Sequence, residues 1–330
     1  MPGANYTAIS QRTNTYAEAK MLDTAAVVTV LNLFGDTKPL PKNKADNIKF
    51  RRPNLLAPAT TPLTESVSPT TKPISYSDVS VQIQQYGDII EITDKIADLC
   101  EDPVLNDACD IAGKQIADTM EAVCYGVLKA GTSVYYVNGA ARNAVNTPIT
   151  LNKLRAVVRF LQSNRSQPVT KMLDASPNYA TRGIEAAYIA FCHTDVSADV
   201  RNLAGFVPVA SYGNRKPVSE FELGTVENVR FIASPMLTPW ADTGGAKGTM
   251  KSTSGTSADV YPIIVVGQSA YAHVPLKGRG AVEPKIINPD QIDKSDILGQ
   301  KGYVGWKGYY ASVILNQLWL ARVETAVTDL

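Results

Sequence analysis

Two histidines, His193 and His273, four cysteines and one glycine-rich interval are the residues with which this chain of 330 amino acids could do chemistry. A Ser/His/Asp arrangement built on either histidine is compatible with the composition, and a hydrolase dependent on His193 is one reading to carry forward. The competing reading is a hydrogen-bonded structural histidine, because His193 follows the apolar run at 187–192 (AYIAFC). Cys100, Cys109, Cys124 and Cys192 contain no C-x-x-C pair and the histidines lie far apart, which argues against zinc. Cys109 and Cys124 fall in a helical apolar pattern, where a thiol serves as a small core group. Asp94 and Asp98 sit one helical turn apart, a spacing open to an acid and base pair but met more simply by a solvated face. The interval 243–259, TGGAKGTMKSTSGTSAD, lacks the G-x-x-x-x-G-K-[ST] order that sets a lysine over phosphates, and its turn-forming residues predict an exposed, mobile loop. G-x-S-x-G, H-E-x-x-H and G-x-G-x-x-G are absent as well. No cofactor or metal site is expected.

The length allows one large or two moderate domains, and a hydrophobic fraction of 45% supports a substantial core. A formal net charge of +1 argues against coating nucleic acid, which requires a clustered positive excess. The N-terminal MPGANYTAIS has neither a basic n-region nor an apolar h-region. The run AAVVTVLNLF at 25–34 is too short to span a bilayer. A non-secreted chain without a membrane partner is expected.

The elements that would position these residues follow a distinctive order. Residues 25–34 predict a short helix ending near Gly35. Prolines at 53, 58, 62, 69 and 73 fix φ and remove donors, so this stretch cannot pair inside a sheet but can lie extended across a neighbour. Val79, Val81 and Ile83 alternate with polar residues as the returning half of a long hairpin. Asp102 and Pro103 predict a helix start, and Leu105, Cys109, Ala112, Ile116, Met120, Val123 and Val127 recur at helical spacing up to a left-handed stop at Gly131. Thr150 predicts the cap of a second helix carrying Leu151, Leu154, Val158 and Leu161. Strands are expected at 187–192, 226–232 and 261–266, with a long β-prone stretch at 303–323.

Charge is distributed unevenly along this plan. Residues 38–52 are mostly basic, with Lys42, Lys44, Lys49, Arg51 and Arg52, whereas residues 88–121 are acidic. Two solvated faces would satisfy that pattern; so would an intersubunit contact, which the extended stretch between them favours. On this second reading the contact residues are those five cations together with Glu65, Asp88, Glu91 and Asp94.

The segment PLTESVSP, the strand QYGDIIEITD and the helix start EDPVL resemble the major capsid proteins of tailed bacteriophages, in particular the family typified by the N-four phage coat protein. TRGIEAAYIAFCHTDVSADVRNL at 181–203 and LGQKGYVGWKGYYASVILNQLWLARVE at 298–324 agree with it, so the resemblance covers most of the chain. It departs at Ser66, where the family's TEG has glycine after Thr64 and Glu65. The resemblance implies the α+β fold of tailed-phage capsids, of the Hong Kong phage type. Its parts would be an N-terminal arm (1–45), an extended loop (46–88), a peripheral domain with a long spine helix (89–135), an axial domain (136–295) and a return strand of the peripheral domain (296–330). It further implies hexamers and pentamers in an icosahedral virion shell, assembled in the host bacterial cytoplasm around double-stranded DNA held as weakly contacted cargo. Scaffolding, portal and decoration or cement proteins are the implied further partners. The spine helix would face inward, making Asp107, Asp110, Asp118 and Glu121 an acidic lining. A bacterial nanocompartment shell shares this fold and is the alternative, ahead of the His193 hydrolase.

Overall fold

The computed structural model describes residues 30–43, 45–99, 104–173, 181–213, 215–277, 282–287 and 297–330. A 3₁₀ turn at Leu31–Leu33 precedes β1 (Asp36–Thr37). Strands β2 (Asn47–Pro53) and β3 (Tyr76–Gln82) form a hairpin that continues through β4 (Gln84–Thr93) into α1 (Asp94–Leu99) and the long helix α2 (Val104–Lys129). β5 (Val134–Tyr136), α3 (Leu151–Ser163), β6 (Val169–Leu173), β7 (Thr181–Cys192) and α4 (Ser197–Arg201) follow. Next come β8 (Phe206–Pro208), β9 (Glu222–Val226), β10 (Val229–Ala233) and β11 (Tyr261–Val266). The chain closes with β12 (Tyr271–Pro275), β13 (Val282–Ile287), β14 (Lys301–Ile314) and β15 (Leu320–Thr325).

An eight-stranded sheet, ordered β5-β15-β11-β7-β10-β9-β8 with β6 also paired to β7, forms the larger layer. Its central strands are continuous apolar runs because both faces are covered. Tyr188, Ala190 and Cys192 join the core on the α3 side, while Ile189 and Phe191 join the core shared with α2 and the 3₁₀ turn. Thr150 caps α3 as expected, its side chain accepting from the Lys153 N–H. The strand expected at 226–232 is instead the β9–β10 hairpin, which turns at Glu227 with φ 52°.

A five-stranded sheet is organised by β14, which pairs β4 along 301–310, β13 along 303–308 and β12 along 310–314. β1 adds in parallel to β12. The segment 296–330 is therefore two strands in two sheets rather than one return strand, since β15 belongs to the eight-stranded layer.

Helix α2 is on the order of 40 Å long at 1.5 Å per residue, and it serves both sheets. Ala108, Cys109, Ala112 and Ile116 pack with Ile92, Val304 and Trp306 of the smaller sheet. Cys124, Tyr125 and Leu128 pack with Phe191, Ile264 and Leu320 of the larger one. The straight stripe expected from Leu105 to Val127 holds only in the first half; between the halves the buried face turns by about two fifths of a helical turn. Each fully buried aliphatic side chain here, such as Ile116 or Leu128, contributes about 1.5–3 kcal/mol.

Two local expectations are corrected. Gly131 is not left-handed; a Cβ there would meet Leu320 Cδ2 at 2.7 Å, so glycine is needed for close approach. The interval 243–259 is tied down by two carboxylates. Asp242 accepts from the Ser254 N–H and the Ser252 hydroxyl (both 2.9 Å), and Asp259 accepts from the Asp242 N–H (2.8 Å) and the Thr253 hydroxyl (2.9 Å). Of the helix expected at 25–34, the 3₁₀ turn is present; residues 25–29 lie outside the described residues, as do Asp102 and Pro103.

Candidate assembly surface

The β2–β3 hairpin is in register from Asn47 opposite Gln82 to Pro53 opposite Tyr76. Its inner side, Ile48, Phe50, Val81 and Ile83, packs on Leu40, Val274 and Ala311 of the body. Past Pro53 the ladder stops, as the prolines dictate. The Asn54 N–H donates to the Ser75 carbonyl (2.9 Å) and the Ser77 hydroxyl to Asn54 Oδ1 (2.7 Å), which ties the two limbs at their base. Residues 53–76 are exposed throughout. At the tip the Val67 N–H donates to the Thr64 carbonyl (3.2 Å), with Ser66 at φ 64°. Serine thus occupies the left-handed region where the resemblance implied glycine, at a cost of about 1–2 kcal/mol.

Of the charged residues expected at an interface, some are already engaged within the subunit. The Arg51 guanidinium donates to both Asp78 oxygens (2.9 and 3.1 Å), Lys49 lies 3.8 Å from the same carboxylate, and the Arg51 hydrogen bond holds the Asp78 carboxyl below its usual range. Asp88 accepts from Gln115 of α2 (2.6 Å), which lowers its pKa, and Glu91 pairs with Lys301 (3.2 Å). The Asp94 carboxylate accepts from the Lys95 N–H at the start of α1. Lys42 and Glu65 are exposed; Arg52 is half-buried, its guanidinium 5.7 Å from the Trp319 ring centroid. Lys44 lies outside the described residues. Asp78, absent from the sequence-based set, is the anion that holds this basic strand; its place opposite Arg51 follows from hairpin register.

The acidic helix face divides. Asp107 is exposed and Asp110 and Asp118 are half-buried, but Glu121 is fully buried and is not part of a lining. The rotation of the buried face along α2 carries it inside. Its two carboxylate oxygens accept from the N–H groups of Val30 and Leu31 at 3.1–3.3 Å, holding the 3₁₀ turn against the helix. Burial outweighs these hydrogen bonds and pushes its pKa up to about 7. Around it lie Asp118, Cys124, Tyr271 and Tyr310.

Both histidines are engaged by neighbours within the fold, His193 with its Nδ1 also 3.4 Å from the Asp195 carboxylate. His193 Nδ1 accepts from the Asp195 N–H (3.1 Å) as the cap of a 3₁₀ turn, and burial lowers its pKa. The adjacent Cys192 thiol is buried, directed at the Ile232 carbonyl and pushed up to about 12. His273 is buried with Nδ1 2.7 Å from the Tyr310 hydroxyl, and burial lowers its pKa to about 4. Among the described residues no group of His, Cys, Asp and Glu side chains converges as a metal site, and no helix is long and apolar enough to cross a membrane.

A long helix laid across two sheets, with an extended hairpin projecting from their junction, is the tailed-phage capsid fold. The capsid of Ralstonia phage GP4 superposes with a TM-score of 0.68 at 12% identity, covering 92% of each chain. The capsid of cyanophage Pam1 gives 0.60 at 13% identity, covering 87% of each. The chain belongs to the phage capsid protein family, whose model matches residues 76–323. It is also similar to the major capsid protein of Pseudomonas phage KPP21, at 21% identity over 268 residues, 74% of this chain and 66% of that protein.

Proposed function

We propose that many copies of this chain assemble as hexamers and pentamers into the icosahedral head of a tailed phage, enclosing its double-stranded DNA. The observation that carries this reading is the loop between β2 and β3, on which Leu55, Leu63, Val67 and Ile74 are 63–78% exposed. Such side chains on an extended, proline-fixed segment are buried once a neighbouring subunit lies beneath them. Many modest contacts then add through multivalency. Because heterologous contacts close only at the right rotation, the angle of the loop selects hexamer or pentamer.

Residues 1–45 act as the arm, 46–88 as the loop, 89–135 as the peripheral domain and 136–295 as the axial domain, with β14 and β15 joining the last two. The face of α2 bearing Asp107, Asp110 and Asp118 turns inward and repels the packaged DNA so that it slides; charge reversal of Asp110 and Asp118 that left packaging and ejection unchanged would count against this. Assembly takes place in the host cytoplasm with a separate scaffolding protein, and portal and decoration or cement proteins join the shell. Negative-stain microscopy of the purified chain, alone and co-expressed with its neighbouring genes, tests the reading. Closed shells or capsomer rings are expected; a uniform monomer under both conditions would overturn it.

A further inference from the structure

At the foot of the hairpin lies a groove of about 570 Å³ whose walls include Arg52, Asn54, Asn164, Arg165, Gln268 and Trp319. Its lining carries two guanidinium groups and no carboxylate, and neither arginine makes an ion pair with another described residue. The remaining polar groups are largely side-chain amides held in place by bonds within the subunit: Asn54 donates to the Ser75 hydroxyl (3.1 Å), Asn164 donates to the Phe160 carbonyl (2.9 Å) and Asn316 Oδ1 accepts from the Leu318 N–H (3.1 Å), so the two guanidinium groups are what the groove offers a ligand. The walls are braced: Trp319 Nε1 donates to the Asn164 carbonyl (3.1 Å), and the Gln268 N–H donates to the Gln167 carbonyl (2.9 Å). Two of the lining residues, Arg165 at φ 56° and Ser269 at φ 55°, occupy the left-handed region without being glycine. At Arg165 this conformation ends α3: its N–H donates to the Gln162 carbonyl and the Ser166 N–H to the Leu161 carbonyl (both 2.9 Å), which fixes where the Arg165 side chain leaves the helix.

What fits such a groove is a short turn that carries one acid between apolar side chains, the shape closed at the loop tip by the Val67 N–H to Thr64 carbonyl bond. The chain itself carries one. Between residues 54 and 75 the single acidic residue is Glu65, and it stands at the loop tip between the exposed Leu63 and Val67. The tip cannot occupy the groove of its own subunit, because residues 53–76 are exposed and Ser66 lies up to about 40 Å along the extended limb from Pro53. We infer that residues 63–67 of one copy dock in this groove of the next, with the Glu65 carboxylate facing Arg52 and Arg165. The contact is head-to-tail, the type that closes into rings. It rests on the shell reading and adds the receptor for the loop tip.

Charge exchange tests it in the full-length chain. Glu65 and Arg165 are both exposed, so Glu65→Arg and Arg165→Glu should fold, as checked by circular dichroism. Each single variant should lower the yield of capsomers and shells about tenfold or more, and the double variant should restore it to within about twofold of the parent. Parent-like yield from either single variant, or a double variant as defective as the singles, overturns the docking. As a second readout, the Glu65→Cys, Arg165→Cys chain, oxidised with copper phenanthroline, should give a ladder of covalent multimers with the 65–165 link found by mass spectrometry. Shells without that link overturn the groove assignment and leave the shell reading standing, whereas a parent chain that forms no capsomer or shell speaks against the shell reading itself.

Discussion

Replacing Glu121 by glutamine should stabilise the protein, and only above mildly acidic pH. The carboxyl titrates at about 7 in the folded chain against an ordinary value of 4.5, because burial disfavours its charge more than the Val30 and Leu31 N–H groups favour it. The folded pKa is raised, so between pH 4.5 and 7 the folded state holds a proton that the unfolded chain has released, and stability falls as pH rises through that window. At about 1.4 kcal/mol per pH unit, the loss reaches about 3 kcal/mol by pH 7 and is constant above it. Glutamine keeps a carbonyl oxygen for the two N–H groups and never ionises. Urea unfolding of the unassembled parent and variant at pH 4.5 and pH 8 measures the difference. Near-equal stability is expected at pH 4.5, where both side chains are neutral, and a variant more stable by about 3 kcal/mol at pH 8. A variant that is less stable at pH 8 would mean that the charge-assisted hydrogen bonds to the 3₁₀ turn dominate, and would refute the desolvation reasoning.

Arg230 is 2% exposed and pairs with Glu185 (2.9 Å) and the buried Glu222 (3.4 Å), so Arg230→Ala strands a carboxylate in the larger sheet. A loss of about 3–5 kcal/mol is expected by chemical denaturation. Gly35→Ala places a Cβ against the His273 imidazole and the Tyr271 ring and should cost about 1–3 kcal/mol, read as a lowered melting temperature. Deleting residues 57–72 removes exposed chain alone, so the melting temperature should stay within a few degrees of the parent while capsomers and shells are lost from size-exclusion profiles and micrographs.

Local chemistry made much of this fold legible. The proline spacing from 53 to 73 marked a stretch that could not be an internal strand, the Thr150 side chain marked the start of α3, and YPIIVV at 261–266 marked a strand, which the structure covers on both faces. What was not legible depended on partners distant in sequence. Asp107, Asp110, Asp118 and Glu121 share one face of an ideal helix, and nothing in their spacing separates the last from the others. Glu121 is buried because the second half of α2 leaves the smaller sheet for the larger one, where a segment about ninety residues earlier closes over it. The groove at Arg165 was hidden for the same reason: its walls come from β2, the end of α3, the turn before β12 and the turn before β15. Periodicity reports which face of an element is apolar. It does not report where one element passes between two layers, and in this chain both the buried carboxylate and the groove beside the hairpin are formed at such a crossing.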